Sequence, residues 1–129
     1  MKEVRILIVE DEQIVALDLK NKLMHFGYPN SVSASSGKDA IKKALDFRPD
    51  LVLMDIVLEG PMDGVEAASE IQKQLGMPVI FLTAYGNDTM SMRATDLLPG
   101  PFIRFVIKPF DESALKAAIQ SALERSGKE

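Results

Sequence analysis

Asp50-Leu51-Val52-Leu53-Met54-Asp55 is a run of four apolar residues between two carboxylates. A continuous apolar run of this length reads as a strand buried on both faces, which is the habit of parallel sheets, and it spans Leu51 to Met54 with Asp55 as the first loop residue. In open α/β sheets ligands bind just beyond the carboxyl ends of the strands. An acid placed there is a candidate reactive centre, and Asp55 is that acid.

Working outward, the same pattern recurs. Val4 to Val9 is a buried strand that breaks into Glu10-Asp11-Glu12, and Gln13 to Phe26 is a helix with Val15, Leu19, Leu23 and Phe26 on its inner face, stopped by Gly27. Ser31 to Ala34 is a short strand. A second helix buries Ala40, Ile41, Ala44 and Leu45 and ends ahead of Pro49. Beyond Asp55, Glu59-Gly60-Pro61 is a loop, and Asp63 caps a third helix with Val65, Ala68, Ile71 and Leu75 inward. Val79 to Leu82 is the fourth strand, ending on Thr83-Ala84. Asn87 to Leu98 is a helix with a modest stripe of Met90, Ala94 and Leu97, closed by Pro99-Gly100-Pro101. Ile103 to Ile107 is the fifth strand, ending on Lys108-Pro109. The last helix, capped by Asp111 or Ser113, buries Leu115, Ala118, Ile119, Ala122 and Leu123, and the polar tail Ser126 to Glu129 frays. Strands alternating with helices predict an α/β three-layer sandwich, a five-stranded parallel sheet covered on both faces with right-handed crossovers.

The totals bound the function. A chain of 129 residues, 47% hydrophobic and 26% charged, is one globular domain, here 1–129 with a core of about 4–125. A net charge of -4 and a pI near 5.0 offer no footprint for nucleic acid or an anionic membrane, so a protein partner is expected. The absence of cysteine removes disulfides and thiolate metal sites, and there is neither a signal peptide nor a membrane-spanning run, which predicts a cytoplasmic location.

If every strand delivers its carboxyl end to one edge, that edge gathers Glu10, Asp11, Asp55, Thr83 and Lys108. Crowded carboxylates raise one another's pKa unless a cation sits among them, and an all-oxygen donor set without His or Cys suits Mg²⁺. A carboxylate facing a hard cation, a hydroxyl and an ammonium is arranged to attack phosphorus, giving an aspartyl phosphate on Asp55. No glycine-rich phosphate loop is present, so ATP is not the expected donor. Singly, each residue has a plainer reading: Asp after a strand is a common turn former, an acidic turn suits a helix start, and an aromatic on a strand is commonly core. Their joint placement at one edge favours chemistry. His25, at the far end of the first helix, is no internal phosphodonor.

Five ordered landmarks, Val9-Glu10-Asp11-Glu12, Leu53-Met54-Asp55-Ile56, Met62-Asp63-Gly64, Leu82-Thr83-Ala84 and Lys108-Pro109-Phe110, resemble the receiver domain of two-component response regulators over nearly the whole chain. The resemblance implies a flavodoxin-like fold with strand order 2-1-3-4-5. It implies that Asp55 is the phosphoacceptor for a sensor histidine kinase or phosphotransfer protein. Asp11 would be a direct Mg²⁺ ligand, Glu10 a ligand through water, and Val57 a ligand through its backbone carbonyl. Thr83 and Lys108 would hold the phosphoryl group, Ala84 would leave it room, Phe105 would be the aromatic switch, and Lys108-Pro109 would be cis. The implied output is a downstream protein bound at helix four, strand five and helix five, without direct nucleic-acid or membrane contact, together with a phosphorylation-dependent homodimer. Such a chain is a phosphoacceptor rather than a turnover enzyme. Three features depart from the pattern: Glu10 replaces the commoner aspartate, the loop Ile56 to Met62 is one residue longer, and Leu97 to Pro101 replaces a Gly-Ala approach to strand five. The competing readings are a receiver-like interaction module that works without phosphate and an FMN-binding enzyme, whose phosphate Glu10-Asp11-Glu12 would repel.

Overall fold

The computed structural model describes residues 3–84, 88–98, 100 and 103–126. The expected helix start at Asn87, the prolines Pro99 and Pro101, and the tail residues 127–129 lie outside them. Strands β1 (Arg5–Val9), β2 (Asn30–Ala34), β3 (Leu51–Asp55), β4 (Val79–Thr83) and β5 (Ile103–Ile107) alternate with helices α1 (Gln13–His25), α2 (Gly37–Phe47), α3 (Gly64–Leu75), α4 (Asp88–Leu97) and α5 (Glu112–Ser126). All pairings are parallel, in the order β2-β1-β3-β4-β5.

The unbroken apolar run of β3 serves two cores at once. Leu51 and Leu53 pack with Ile6, Ile8, Ile80 and Leu82 against Leu19 and Leu23 of α1 and Leu115 and Ile119 of α5. Val52 and Met54 pack with Leu7, Val9 and Phe81 against Ala40 and Ala44 of α2, Val65, Ala68 and Ile71 of α3, and Ala94 of α4. Each of these β3 side chains is fully buried and contributes about 1.5–3 kcal/mol by the usual transfer scale. At the opposite end of the strand, Asp50 fixes register: its Oδ2 accepts from the Arg5 amide at 2.9 Å while its own amide donates to the Arg5 carbonyl at 2.7 Å.

Several expectations are corrected. Asp55 is the last residue of β3 rather than the first of the loop, because the ladder to β4 runs on: Asp55 pairs with Leu82, and the Ile56 amide donates to the Leu82 carbonyl at 3.0 Å. The inner face of α1 turns on Ala16, Leu19 and Leu23, with Val15 and Phe26 only at its margin. Leu45 of α2 and Leu97 of α4 are exposed, since small alanines at 40, 44 and 94 occupy the contact, and Leu98 is buried in place of Leu97. α5 begins at Glu112, so Asp111 stands directly before it with its carbonyl accepting from the Leu115 amide, and Ser113 lies within the first turn.

The helix ends follow local chemistry. Ser36 caps α2 by accepting from the Asp39 amide, and α3 opens on a capping box in which Asp63 and Glu66 each accept the other's amide. Gly76 closes α3 in the left-handed conformation at φ 76°. At the sheet's edge, Lys43 Nζ of α2 donates to the Ser33 carbonyl of β2 at 2.6 Å.

Candidate functional site

The carboxyl ends of β1, β3, β4 and β5 bring Glu10, Asp11, Asp55, Thr83 and Lys108 to one edge of the sheet. Glu10 directly follows β1, and its amide continues the ladder to the Ala34 carbonyl at 3.0 Å, which holds its side chain beneath the edge at 1% exposure. Glu10 Oε2 accepts from the Glu12 amide at 3.1 Å. Glu10 Oε1 and Asp55 Oδ2 both face Lys108 Nζ, at 3.2 and 3.4 Å. Asp55 Oδ1 accepts from the Val57 amide at 3.1 Å, and Asp11 Oδ2 from the Glu59 amide at 3.2 Å. One oxygen from each of Glu10, Asp11 and Asp55 lies within 4.8 Å of the others.

A cleft of about 380 Å³ opens over this group, lined by Asp11, Glu12, Asp55, Val57, Glu59, Ala84 and Lys108. Glu10 and Asp55 face the one ammonium with Asp11 close beside them, and the electrostatics respond. Burial pushes the Glu10 carboxyl up to about 7, with the Asp55 charge adding to the effect and the Glu12 amide and Lys108 opposing it. For Lys108, burial alone would favour loss of the proton, but the Asp55 and Glu10 charges outweigh it and hold the ammonium above its ordinary value. The all-oxygen donor set fits a hard divalent cation: two carboxylates at the surface of the cleft and one beneath it are an excess of negative charge that Lys108 alone does not balance.

Thr83 is buried at the end of β4, its hydroxyl donating to the Ala84 carbonyl at 3.3 Å, while its own carbonyl accepts from the Lys108 amide at 2.7 Å. That last bond ties the fourth and fifth strand ends together. Phe105 stands apart from the cleft, paired in register with Phe81; the rings stack at 5.6 Å and Phe105 remains 39% exposed. The Lys108-Pro109 bond is cis, as the resemblance implies. His25 is exposed on the last turn of α1.

Two contributors escaped the residue reading. Gly64 opens α3 so close to β3 that a Cβ there would overlap the Asp55 carbonyl oxygen and lie 3.0 Å from the Ile56 carbonyl oxygen. The sequence signal was present in Met62-Asp63-Gly64, a glycine directly after a helix cap. Glu59 lies in the lengthened loop, and only the folded chain sets its amide on Asp11. In the same loop Leu58 is buried at 5% exposure and packs into the core shared with Val65 and Ala68.

The chain is similar to known proteins in sequence and in fold. The family model described as response regulator receiver domain matches residues 6–120. The transcriptional regulatory protein PdtaR of Mycobacterium tuberculosis is 36% identical over 121 residues, covering 94% of this chain and 57% of that protein. GlrR of Escherichia coli K12, also a transcriptional regulatory protein, is 39% identical over 126 residues, covering 97% of this chain and 27% of its own length. Among solved structures, the signal receiver domain of a modulated diguanylate cyclase from Desulfovibrio desulfuricans G20 superposes with a TM-score of 0.86 at 31% identity, covering 98% of both chains. The chain thus spans about half or less of the curated relatives it matches, 57% and 27% in these two cases. No helix among the described residues is long and apolar enough to cross a membrane. The strand order, the acids gathered at the strand ends and the family match across most of the length agree, and the chain belongs to the receiver domains of two-component response regulators.

Proposed function

We propose that Asp55 accepts a phosphoryl group from a phosphohistidine on a sensor histidine kinase or phosphotransfer protein. The supporting observation is the Lys108 ammonium poised between two carboxylates, 3.2 Å from Glu10 and 3.4 Å from Asp55, at the floor of an acid-lined cleft. An Asp55 carboxylate oxygen forms the new O–P bond as the donor's N–P bond breaks and the imidazole nitrogen keeps the electron pair. Asp11 and Asp55 would hold Mg²⁺ directly, with Glu10 acting through water and Val57 offering its backbone carbonyl. Bound Mg²⁺ supplies charge neutralisation for the transferring phosphoryl oxygens. Lys108 stabilises the same charge, and the Thr83 hydroxyl turns from the Ala84 carbonyl to donate to a phosphoryl oxygen.

The product adds charge of about -1.5 to -2 at the end of β3. Thr83 moves to meet it and vacates space that Phe105 fills, which remodels the face of α4, β5 and α5 for a downstream protein or for a second copy of the chain. The chain acts as one cytoplasmic receiver unit, a phosphoacceptor rather than a turnover enzyme. Incubation with Mg²⁺ and a small phosphodonor, followed by intact-mass measurement, is expected to add one phosphoryl group to the wild type and none to Asp55→Asn. An adduct on the variant would misplace the site. No adduct on either would favour a receiver-like module that binds partners without phosphate.

A further inference from the structure

Helix α4 has a thin apolar anchor. Ala94 is its buried residue and Met90 is partly buried against the core, whereas Met92 and Leu97 are 68% and 51% exposed. Its second attachment is charged. Arg93 Nη1 donates to Asp63 Oδ2 at 2.6 Å, and Arg93 Nη2 lies 3.9 Å from Glu66 Oε2. Asp63 and Glu66 are the two partners of the α3 capping box, so the guanidinium grips the pair that sets where α3 begins. Both Asp63 oxygens are engaged, Oδ1 by the Glu66 amide and Oδ2 by Arg93.

The same point is fixed from the other side. Gly64, next in the chain, is wedged against the Asp55 and Ile56 carbonyls. The intervening loop is tied to the acids by the Val57 amide on Asp55 and the Glu59 amide on Asp11. The Asp55 carboxylate is therefore linked to the middle of α4 through the hydrogen-bonded loop, the chain that leads from it into the α3 cap, and the Arg93–Asp63 pair. Residues along such a path couple two sites when each site biases the same element.

We infer that Arg93 is a positioning residue that couples occupancy of the Asp55 cleft to the packing of α4 by clamping the α3 cap. This rests on the phosphoacceptor reading. Filling the cleft pins the loop through its acids, the pinned loop holds Asp63 steady, and Arg93 passes that restraint to α4. Coupling is reciprocal, so releasing the clamp also weakens the ion by the same factor. The pair is partly exposed, at 39% for Arg93 and 28% for Asp63, which sets the scale at a modest factor of about two to five.

Hydrogen exchange of the whole chain, with and without Mg²⁺ plus beryllium fluoride as a phosphoryl mimic, tests this. In the wild type, peptides of 56–63 and of α4 are expected to exchange more slowly when the cleft is filled, α4 by about two- to fivefold. In Arg93→Met the loop is still protected but the α4 response vanishes, and calorimetry finds Mg²⁺ alone bound about two- to fivefold more weakly. Arg93→Lys, which keeps the Asp63 pair without the fork to Glu66, falls between the two and replaces Arg93→Met if α4 frays in that variant. A merely structural Arg93 would lower the melting temperature yet leave Mg²⁺ affinity and the α4 response as in the wild type, and that result overturns the inference while the phosphoacceptor reading stands. If the loop of the wild type is not protected at all, both fall.

Discussion

Gly64→Ala offers a sharp test of how the β3–α3 junction is built. At a helix position alanine is ordinarily favoured over glycine by up to about 1 kcal/mol. Here the added methyl would overlap the Asp55 carbonyl oxygen and lie 3.1 Å from its carbon and 3.0 Å from the Ile56 oxygen, all of them backbone atoms that cannot rotate aside. Overpacking of that kind costs about 1–3 kcal/mol and more where backbone must move. The steric term wins, leaving a net loss of about 1–2 kcal/mol, or about 4–8 °C in Tm for a chain of this size. Because the displaced carbonyl belongs to Asp55 itself, Mg²⁺ binding should weaken about tenfold, at the low end for changes that reorient a ligand. Gly76→Ala is the control. Its φ of +76° costs about 1–2 kcal/mol, but nothing lies within 4 Å, so stability falls and Mg²⁺ affinity does not. Urea denaturation followed by circular dichroism, with calorimetric Mg²⁺ titration, reads both quantities. A Gly64→Ala chain as stable as the parent, with unaltered Mg²⁺ affinity, would refute the reasoning.

The Glu10 carboxyl sits at about 7 against its ordinary 4.5, so the folded chain binds the extra proton. That stabilisation is complete below about pH 4.5 and is lost as pH rises through 7; ion-free Tm from this group should fall across pH 5 to 7.5, and Mg²⁺ should flatten the slope by favouring the ionised acid. Lys108→Met removes the cation facing Glu10 and Asp55, costing about 1–3 kcal/mol at pH 8 and less at pH 5, where Glu10 is protonated. The same variant should bind Mg²⁺ more tightly, since the ion no longer shares the carboxylates with an ammonium; calorimetry showing weaker binding would contradict this.

Much of this architecture is legible in the residues because it rests on short-range pattern. The runs at Leu51 and Val79 carry no polar position, which only a strand covered on both sides tolerates, and the polar residues that end them fall at one edge as the parallel topology requires. What escapes reading is set by neighbours far along the chain. Leu45 and Leu97 look like core residues until alanines at 44 and 94 allow closer approach and turn the helices past them. Asp55 looks like a loop residue until β4 extends the ladder to it. Arg93 and Asp63 are thirty positions apart, and charge alone does not announce their pairing. Glu10 as the closer partner of Lys108 is equally nonlocal, because it depends on how deeply the first strand end is buried.

The ammonium of Lys43 on the Ser33 carbonyl bears on how copies of this chain meet. A stranger's strand seeking to extend the sheet beyond β2 would have to displace a charged group from the acceptor it needs. Growth from that margin into a continuous cross-chain ribbon is thereby discouraged.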